Sequence, residues 1–460
     1  MRCTIDLSQL ERERSHQKWY DLEDGAGQIL IIISITGTTV SDTVKDLSAD
    51  EPPINLNELE ARYSLVRSFS NLRDIGFLSV KVYKAQGLAS ADIGGKSDPF
   101  CVLELVNARL QTHTEYKTLN PEWNKVFTFA VKDIHSVLEV TVFDEDPNKK
   151  VEFLGKIAIP LLKVKNFEKR WYVLKDRKLC RRVKGQILLE LSLVFNPLRA
   201  SVRTFNPKEV KYMDQEPKFK RQILINNVGR VKAFVMSALE VGQFIKSCWE
   251  WESPTRSIVA FMVFMISVYF FELYMAPLVL LLVFAKTYIV KLVIGTTRPP
   301  GDEAEEYYES EDEDDGADDK ENKDKPEERK SLKERLHAVN DILTTVQNSL
   351  GYAAAYMERV KNTFNFTQPF LSCLAIAVLS VATVLLYYIP VRWLIMAWGI
   401  NKFTKKLRSP HAIPNNELID FLSRVPSDDE IKMFGEFRPD PVDRHQPQPS
   451  SSATRRKKTS

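Results

Sequence analysis

Apolar and polar positions alternate with a period of two in four stretches, Phe77–Tyr83, Phe100–Leu105, Leu138–Phe143 and Gln186–Leu191. Successive side chains of a strand leave opposite faces, so this pattern predicts strands with one face in a core. Gly and Pro punctuate the gaps at roughly eight- to twelve-residue intervals, the rhythm of a two-sheet sandwich. The second half of the chain reads differently. Two apolar stretches, 257–294 and 370–400, reach the ~20 residues a helix needs to cross a bilayer. Glu272 and Pro277 interrupt the first; Pro390 and Arg392 follow the clean run of the second, with Trp393 and Trp398 placed as at a membrane interface. A charge at mid-bilayer costs on the order of 2.5–3.5 kcal/mol, so the chain is expected to turn at Glu272. Both segments read as hairpins or wedges at least as much as simple spans.

Leu332, Leu336, Val339, Leu343, Val346, Leu350, Ala353, Met357 and Val360 alternate spacings of four and three. That predicts a helix over 331–364 with a narrow apolar seam, which self-association and packing within the chain explain equally well. Gly351 weakens it locally. Residues 205–256 are expected to form an amphipathic helical connector, either packed or lying on the bilayer surface. The stretch 302–330 is acidic and poor in large aliphatics, so a disordered linker is expected. Residues 401–460 read as a tail ending in Arg455-Arg456-Lys457-Lys458-Thr459-Ser460.

An internal repeat sets the front of the chain. Trp19-Tyr20-Asp21-Leu22 matches Trp171-Tyr172-Val173-Leu174, and Gly27-Gln28-Ile29-Leu30 matches Gly185-Gln186-Ile187-Leu188. Residues 1–36 are therefore expected to be the last strands of a preceding domain, as in a truncated form or fragment. Residues 37–75, polar with Pro52-Pro53, read as a linker.

Net charge is +3, and no dominant basic face with stacking aromatics argues for nucleic acid. The five cysteines are scattered, which argues for a reducing, cytosolic setting. Nucleophile elbow, phosphate loop, zinc spacing and Ser/His/Asp set are all absent from the sequence, so no enzyme is expected.

Five acidic residues carry the candidate chemistry. Asp92 and Asp98 flank Ile93-Gly94-Gly95-Lys96-Ser97, and Asp144, Asp146 and Glu152 cluster after the Leu138–Phe143 alternation. Carboxylates gathered on loops at one end of a sandwich repel one another unless a cation joins them, and an oxygen-seeking, geometrically tolerant ion such as Ca²⁺ suits that arrangement. Ile93 and Val151 fall at the expected loop tips, with Lys149 and Lys150 beside them, and all four are expected to contact lipid, the apolar pair entering the headgroup region.

Ser97-Asp98-Pro99-Phe100, Leu119-Asn120-Pro121-Glu122-Trp123-Asn124, Asp144-Glu145-Asp146 and Phe153-Leu154-Gly155 resemble the signature of a C2 domain across 76–195. The layout, C2 repeats followed by two membrane segments, resembles the multiple C2 domain and transmembrane region proteins. The resemblance implies an all-β C2 sandwich, eight-stranded and permuted so that its termini lie away from the calcium loops, followed by an α-helical membrane-anchored region. It also implies that Asp92, Asp98, Asp144, Asp146 and Glu152 bind calcium, with the carbonyls of Ala91 and Glu145 completing the shell. Glu152 stands where C2 domains usually carry Asp.

That strand order places loop 175–184 at the calcium end. Its Lys175, Arg177, Lys178, Arg181, Arg182 and Lys184 then form a second anionic-lipid contact. The expected activity is that of a calcium sensor and tether on anionic phospholipid membranes; a calcium-independent, reticulon-like membrane-shaping protein is the rival. The resemblance implies endoplasmic reticulum or endosomal membranes and support of transmitter release. Either topology leaves the C2 domain and the C-terminus cytosolic, where Lys457 and Lys458 fit a di-lysine retrieval signal.

Overall fold

The computed structural model describes residues 15–21, 28–34, 44–46, 56–69, 74–90, 95–145, 151–211, 219–294, 326–408 and 416–439. Asp92, Ile93, Asp146, Lys149, Lys150, the acidic stretch up to residue 325 and the Arg/Lys-rich terminus lie outside them.

Strands β1 (Ser15–Asp21) and β2 (Gln28–Ser34) form a separate antiparallel pair in which Trp19 faces Leu30 and Tyr20 faces Ile29. Strands β10 (Glu168–Lys175) and β11 (Arg182–Phe195) pair in the same register, Trp171 with Leu188 and Tyr172 with Ile187. The repeat seen in the sequence is thus a repeat of strand register.

The remaining strands are β3 (Val44–Asp46), β4 (Gly76–Gln86), β5 (Pro99–Leu105), β6 (Ala108–Gln111), β7 (Glu122–Val131), β8 (Val137–Glu145) and β9 (Val151–Pro160), which with β10 and β11 run in the order β3-β7-β4-β11-β10-β9-β8-β5-β6. The sheet folds into two layers at β9–β10, where the strands touch through the pair Lys175–Lys156. Alternate residues fill the space between layers. Leu78, Val80 and Val82 of β4, Leu103 of β5, Phe127 of β7, Val140 and Val142 of β8, Leu174 of β10, and Ile187 and Leu189 of β11 are all fully buried. Each such side chain contributes about 1.5–3 kcal/mol. Gly155 is required where the layers approach, because a Cβ there would lie 2.7 Å from Leu174 Cβ. This is the eight-stranded C2 sandwich, β4 to β11. Its first and last residues meet, Gly76 opposite Phe195, at the end away from loop 87–98. The termini lie where the permuted type puts them.

The span 37–75 is more than a linker. β3 pairs with the outer edge of β7, and helix α1 (Leu56–Arg62) leads into a turn whose Ser64 carbonyl accepts from Asn196 Nδ2 at 2.8 Å. Val44 is of a β-branched type that strands favour, a signal that the polar composition around it obscured.

After the sandwich come α2 (Pro197–Arg203), α3 (Arg221–Trp249), α4 (Pro254–Tyr269), α5 (Met275–Ile294), α6 (Pro326–Phe364), α7 (Pro369–Tyr388) and α8 (Val391–Arg408). The seam helix is α6. It packs against α3: buried Asn227 donates to the Gln347 carbonyl at 3.1 Å, and Arg230 grips Glu358 through two bonds of 2.7 and 2.6 Å. Gly351 is explained here, since a Cβ would meet Asn227 Nδ2 at 3.0 Å. The first apolar segment breaks into α4 and α5 across Phe270–Tyr274, a turn that contains Glu272, and the second into α7 and α8 at Ile389–Pro390. Met275–Val293 and Pro369–Tyr388 are long and apolar enough to cross a membrane. They run antiparallel, with Tyr274, just before α5, against Tyr387 near the end of α7 (ring centroids 5.3 Å) and Tyr288, late in α5, against Phe366, just ahead of α7 (5.6 Å).

The expected tail is corrected by the structure. Residues 416–439 form α9 (Glu417–Arg424) and α10 (Asp428–Met433) and pack onto both the sandwich and α6. Asn416 caps α9, and Ser427 with Glu430 forms a capping box on α10. Phe421 and Val425 bury against Leu371, flanked by Phe205 and Phe370.

Candidate functional site

Three of the five carboxylates fall among the described residues, and strand register brings them to one end of the sandwich. Asp98 immediately precedes β5; Asp144 is opposite Pro99 on one side and Glu152 on the other. The Glu145 amide donates to the Asp98 carbonyl at 3.1 Å, locking the two strand ends together. Asp144, 1 % exposed, accepts through Oδ1 from the Asp98 amide. Asp98 Oδ1 accepts from the Lys117 amide at 2.6 Å, and Ser97 Oγ donates to the Ala89 carbonyl at 3.1 Å. Backbone donors thus already orient two of the carboxylates as acceptors.

Among the described residues no three His, Cys, Asp or Glu side chains close on one point as metal ligands. What is present is three of the expected five, on adjacent strand ends; Asp92 and Asp146 lie outside the described residues. Carboxylate oxygens in this number are the donors a hard divalent cation takes. The donor chemistry of these three suits such an ion, while their side chains do not by themselves close on one point.

The hairpin between β10 and β11 lies at the same end. Asp176 Oδ1 accepts from the amides of Cys180 (2.8 Å) and Arg181 (3.0 Å), and Leu179 takes φ +61° to close the turn. The Arg177 guanidinium sits 5.1 Å from the Phe153 ring centroid, next to Glu152. Phe153 in turn edges Phe143, which stacks on Phe100. Arg177, Lys178, Arg181, Arg182 and Lys184 are exposed on this hairpin, as is Val151 at the start of β9.

Lys175 departs from the expectation. It is 5 % exposed. Its Nζ donates to the carbonyl of Met433 at 3.0 Å and to that of Gly435, and it lies 5.0 Å from the Phe437 ring centroid. Burial, the largest influence, pulls its ammonium below the usual lysine range. Lys175 therefore anchors the C-terminal segment and is not a lipid contact; its place at the end of β10 turns it toward the flank of the sandwich.

Sequence reasoning missed a second cluster, at the opposite end. Asp133, in the β7–β8 loop, accepts from Arg424 Nε at 2.9 Å through Oδ2 and faces His135 Nδ1 at 2.9 Å through Oδ1. Arg424 also donates to the Thr204 carbonyl at 2.9 Å, and the His135 ring lies 5.8 Å from Phe370 at the start of α7. Burial by itself would raise the Asp133 carboxyl; the His135 hydrogen bond and the Arg424 charge overcome it and hold the group well below the usual carboxylate range. The readable signals were the Ser427-Asp428-Asp429-Glu430 capping box and the helical spacing of Leu418, Phe421, Leu422 and Val425.

Comparison with known proteins agrees with this construction. The C2 domain family model matches residues 76–174, and the model described as plant phosphoribosyltransferase C-terminal matches 303–433, the stretch holding the seam helix, the second apolar segment and the C-terminal helices. The multiple C2 and transmembrane domain-containing protein of Drosophila melanogaster is 50 % identical over 442 residues, 95 % of this chain and 48 % of that protein. The multiple C2 and transmembrane domain-containing protein 1 of Mus musculus is 47 % identical over 441 residues, 95 % of this chain and 46 % of that one. The chain spans about half the length of these relatives. Among solved structures, a single C2 domain of a plant extended synaptotagmin 1 is 30 % identical, with a TM-score of 0.24, covering 27 % of this chain and 100 % of the domain. Sandwich, paired apolar helices and identity across nearly the whole chain place it in the family of multiple C2 and transmembrane domain-containing proteins.

Proposed function

We propose that the chain is a membrane-anchored calcium sensor and tether whose C2 domain binds calcium and anionic phospholipid. The observation that carries this reading is the convergence of Asp98, Asp144 and Glu152 on one end of the sandwich, with the basic hairpin seated on Phe153 beside them. Calcium, when bound, supplies positive charge and coordination positions for phosphate oxygens. The chain's own part is electrostatic: before binding, the carboxylates repel an anionic surface, and Arg177, Lys178, Arg181, Arg182, Lys184, Lys149 and Lys150 attract it once those charges are neutralised. Ile93 and Val151 enter the headgroup layer. The anchor is the α4–α5 and α7–α8 segments, placed in endoplasmic reticulum or endosomal membranes, with the C2 domain cytosolic and a role in calcium-regulated traffic such as transmitter release. No catalytic step is assigned. The test is calcium titration of the purified chain with phosphatidylserine vesicles: binding that rises with calcium and is lost in Asp144→Asn supports the reading, and calcium-independent binding defeats it.

A second reading has its own observation. Both apolar segments are helix–break–helix, and α4, at 16 residues, spans about 24 Å, less than the ~30 Å hydrocarbon core. Short paired helices inserted from one face act as wedges and curve tubules. Tubulation of neutral liposomes by the Asp144→Asn chain would separate this role from calcium sensing. Val339, Val346 and Val360 remain exposed along the seam of α6, and self-association of two chains through that seam would concentrate the wedges.

A further inference from the structure

We propose that residues 416–439 clamp the C2 sandwich to the membrane helices by the end opposite its calcium loops, so that the lipid surface it engages belongs to a second bilayer and not to the one it is anchored in. The inference rests on the calcium–lipid reading of the sandwich end and adds to it which membrane is bound.

The sandwich has two ends. Asp98, Asp144 and Glu152 mark one. The β7–β8 loop marks the other, because Val131 pairs with Gly76 and Val137 with Pro160, the far ends of their strands. Strand β8 separates them with 9 residues, about 30 Å at strand rise.

The described contacts that join the sandwich to the start of the membrane helix α7 are made at the second end. Phe370 lies against His135. Leu371 buries against Phe421 and Val425 of the C-terminal segment. Arg424 reaches back from the same segment to Asp133 and to the Thr204 carbonyl. Phe370 and Leu371 are the first turn of α7, whose other end, at Tyr387, lies beside Tyr274. The sandwich therefore meets the membrane pair where α7 enters it, presenting its calcium-free end.

The segment also restrains rotation. Beyond α9 it crosses to the helical base: Asp429 pairs with Arg230 at 2.6 Å, Glu430 with Arg359 at 3.2 Å, Asp428 with Lys361, and Asn362 donates to the Pro426 carbonyl at 3.0 Å. It then returns to the flank of the sandwich, where Glu436 pairs with Arg170 at 2.9 Å and the Met433 and Gly435 carbonyls hold Lys175. Three anchor points, two on the sandwich and one on α3 and α6, fix a body that a single tether would leave free to swing. Burying Arg424 against Asp133 is costly unless both partners stay in place, which makes the contact close to all-or-none.

The test uses the full chain reconstituted in phosphatidylcholine host vesicles, with fluorescent acceptor vesicles captured by sedimentation. With phosphatidylserine in the acceptors alone, calcium should drive capture, and chelation should reverse it. With phosphatidylserine in both populations, capture should stay within about twofold, since the calcium end does not reach its own bilayer. A fall of tenfold or more on adding phosphatidylserine to the hosts overturns the proposal. Arg424→Gln should convert the behaviour, so that host phosphatidylserine now suppresses capture; Lys361→Met, at the solvent-facing contact of the clamp, should do so in part and guards against misfolding of the first variant. If both variants resist host competition as the parent chain does, the clamp is not what directs the sandwich. Detergent-solubilised chain floated with phosphatidylserine vesicles distinguishes the two levels. Calcium-dependent flotation without capture overturns the orientation alone, and absence of flotation overturns the lipid reading and the orientation with it.

Discussion

The guanidinium of Arg177 lies 5.1 Å from the centre of the Phe153 ring, and so a turn between the last two strands is held beside the first carboxylate of β9. The stacking of a cation on an aromatic face holds basic and acidic groups together at one end of the sandwich. Each basic residue near an anionic leaflet is worth about 1 kcal/mol, roughly fivefold in affinity. Replacing Arg177, Lys178 and Arg181 together by Gln is expected to weaken calcium-dependent vesicle binding about 100-fold and flatten its salt dependence. Lys175→Gln, by contrast, should leave vesicle binding unchanged while raising protease sensitivity of residues 433–437. Vesicle co-sedimentation over a salt series checks both.

Asp144 is the residue on which the calcium reading is most exposed. It is buried and accepts the Asp98 amide, so Asn retains shape and one acceptor while removing charge. Calcium affinity, which follows ligand charge, should fall by about tenfold or more, measured by calorimetry on the solubilised chain. Thr114→Val, which removes a 2.6 Å hydrogen bond to Glu145, should shift it by less than about threefold.

The Asp133 carboxyl is held below its usual range although burial opposes this. A depressed folded value means that the pairing stabilises the protein fully above the unfolded carboxylate pKa, near 4, and is lost as pH falls through the depressed folded value. Removing Arg424 leaves a buried carboxylate without its main counter-charge. Arg424→Ala should cost about 3–5 kcal/mol locally, seen as faster amide exchange in 416–439 at neutral pH, with the acid limb of stability moving to higher pH.

Gly155 sits where the two layers touch. In Gly155→Val the new Cβ would start 2.7 Å from Leu174 Cβ and the branch would meet Val183, whose nearest atom is 3.0 Å away. Overpacking of this kind costs about 1–3 kcal/mol. Thermal unfolding of the sandwich should drop, with calcium lifting the midpoint back only in part.

The sandwich was legible because period-two alternation and the Ser97–Phe100 and Phe153–Gly155 signatures are local. That the termini of the sandwich lie away from the calcium end followed from strand order. The break at Glu272 was legible for the same reason, a charge placed where the bilayer penalises it. What the sequence hid was long-range. Arg424 and Asp133 stand 291 residues apart, and a lone arginine in a polar tail looks like a solvated charge until its partner is known. Lys175 was misplaced because it closes a basic loop in sequence, while in space its side chain turns to the carbonyls of Met433 and Gly435. β3 was obscured because three residues are too few to show a period.

That short strand has an effect out of proportion to its length. An open strand edge invites a neighbour to add to it, and proteins confined to a bilayer meet neighbours at high local density. With Val44–Asp46 laid along β7, the outermost strands of the sheet are β3, three residues long, and β6, four residues long and bearing an exposed Arg109. Two copies brought side by side then find little open edge through which to zipper into fibres.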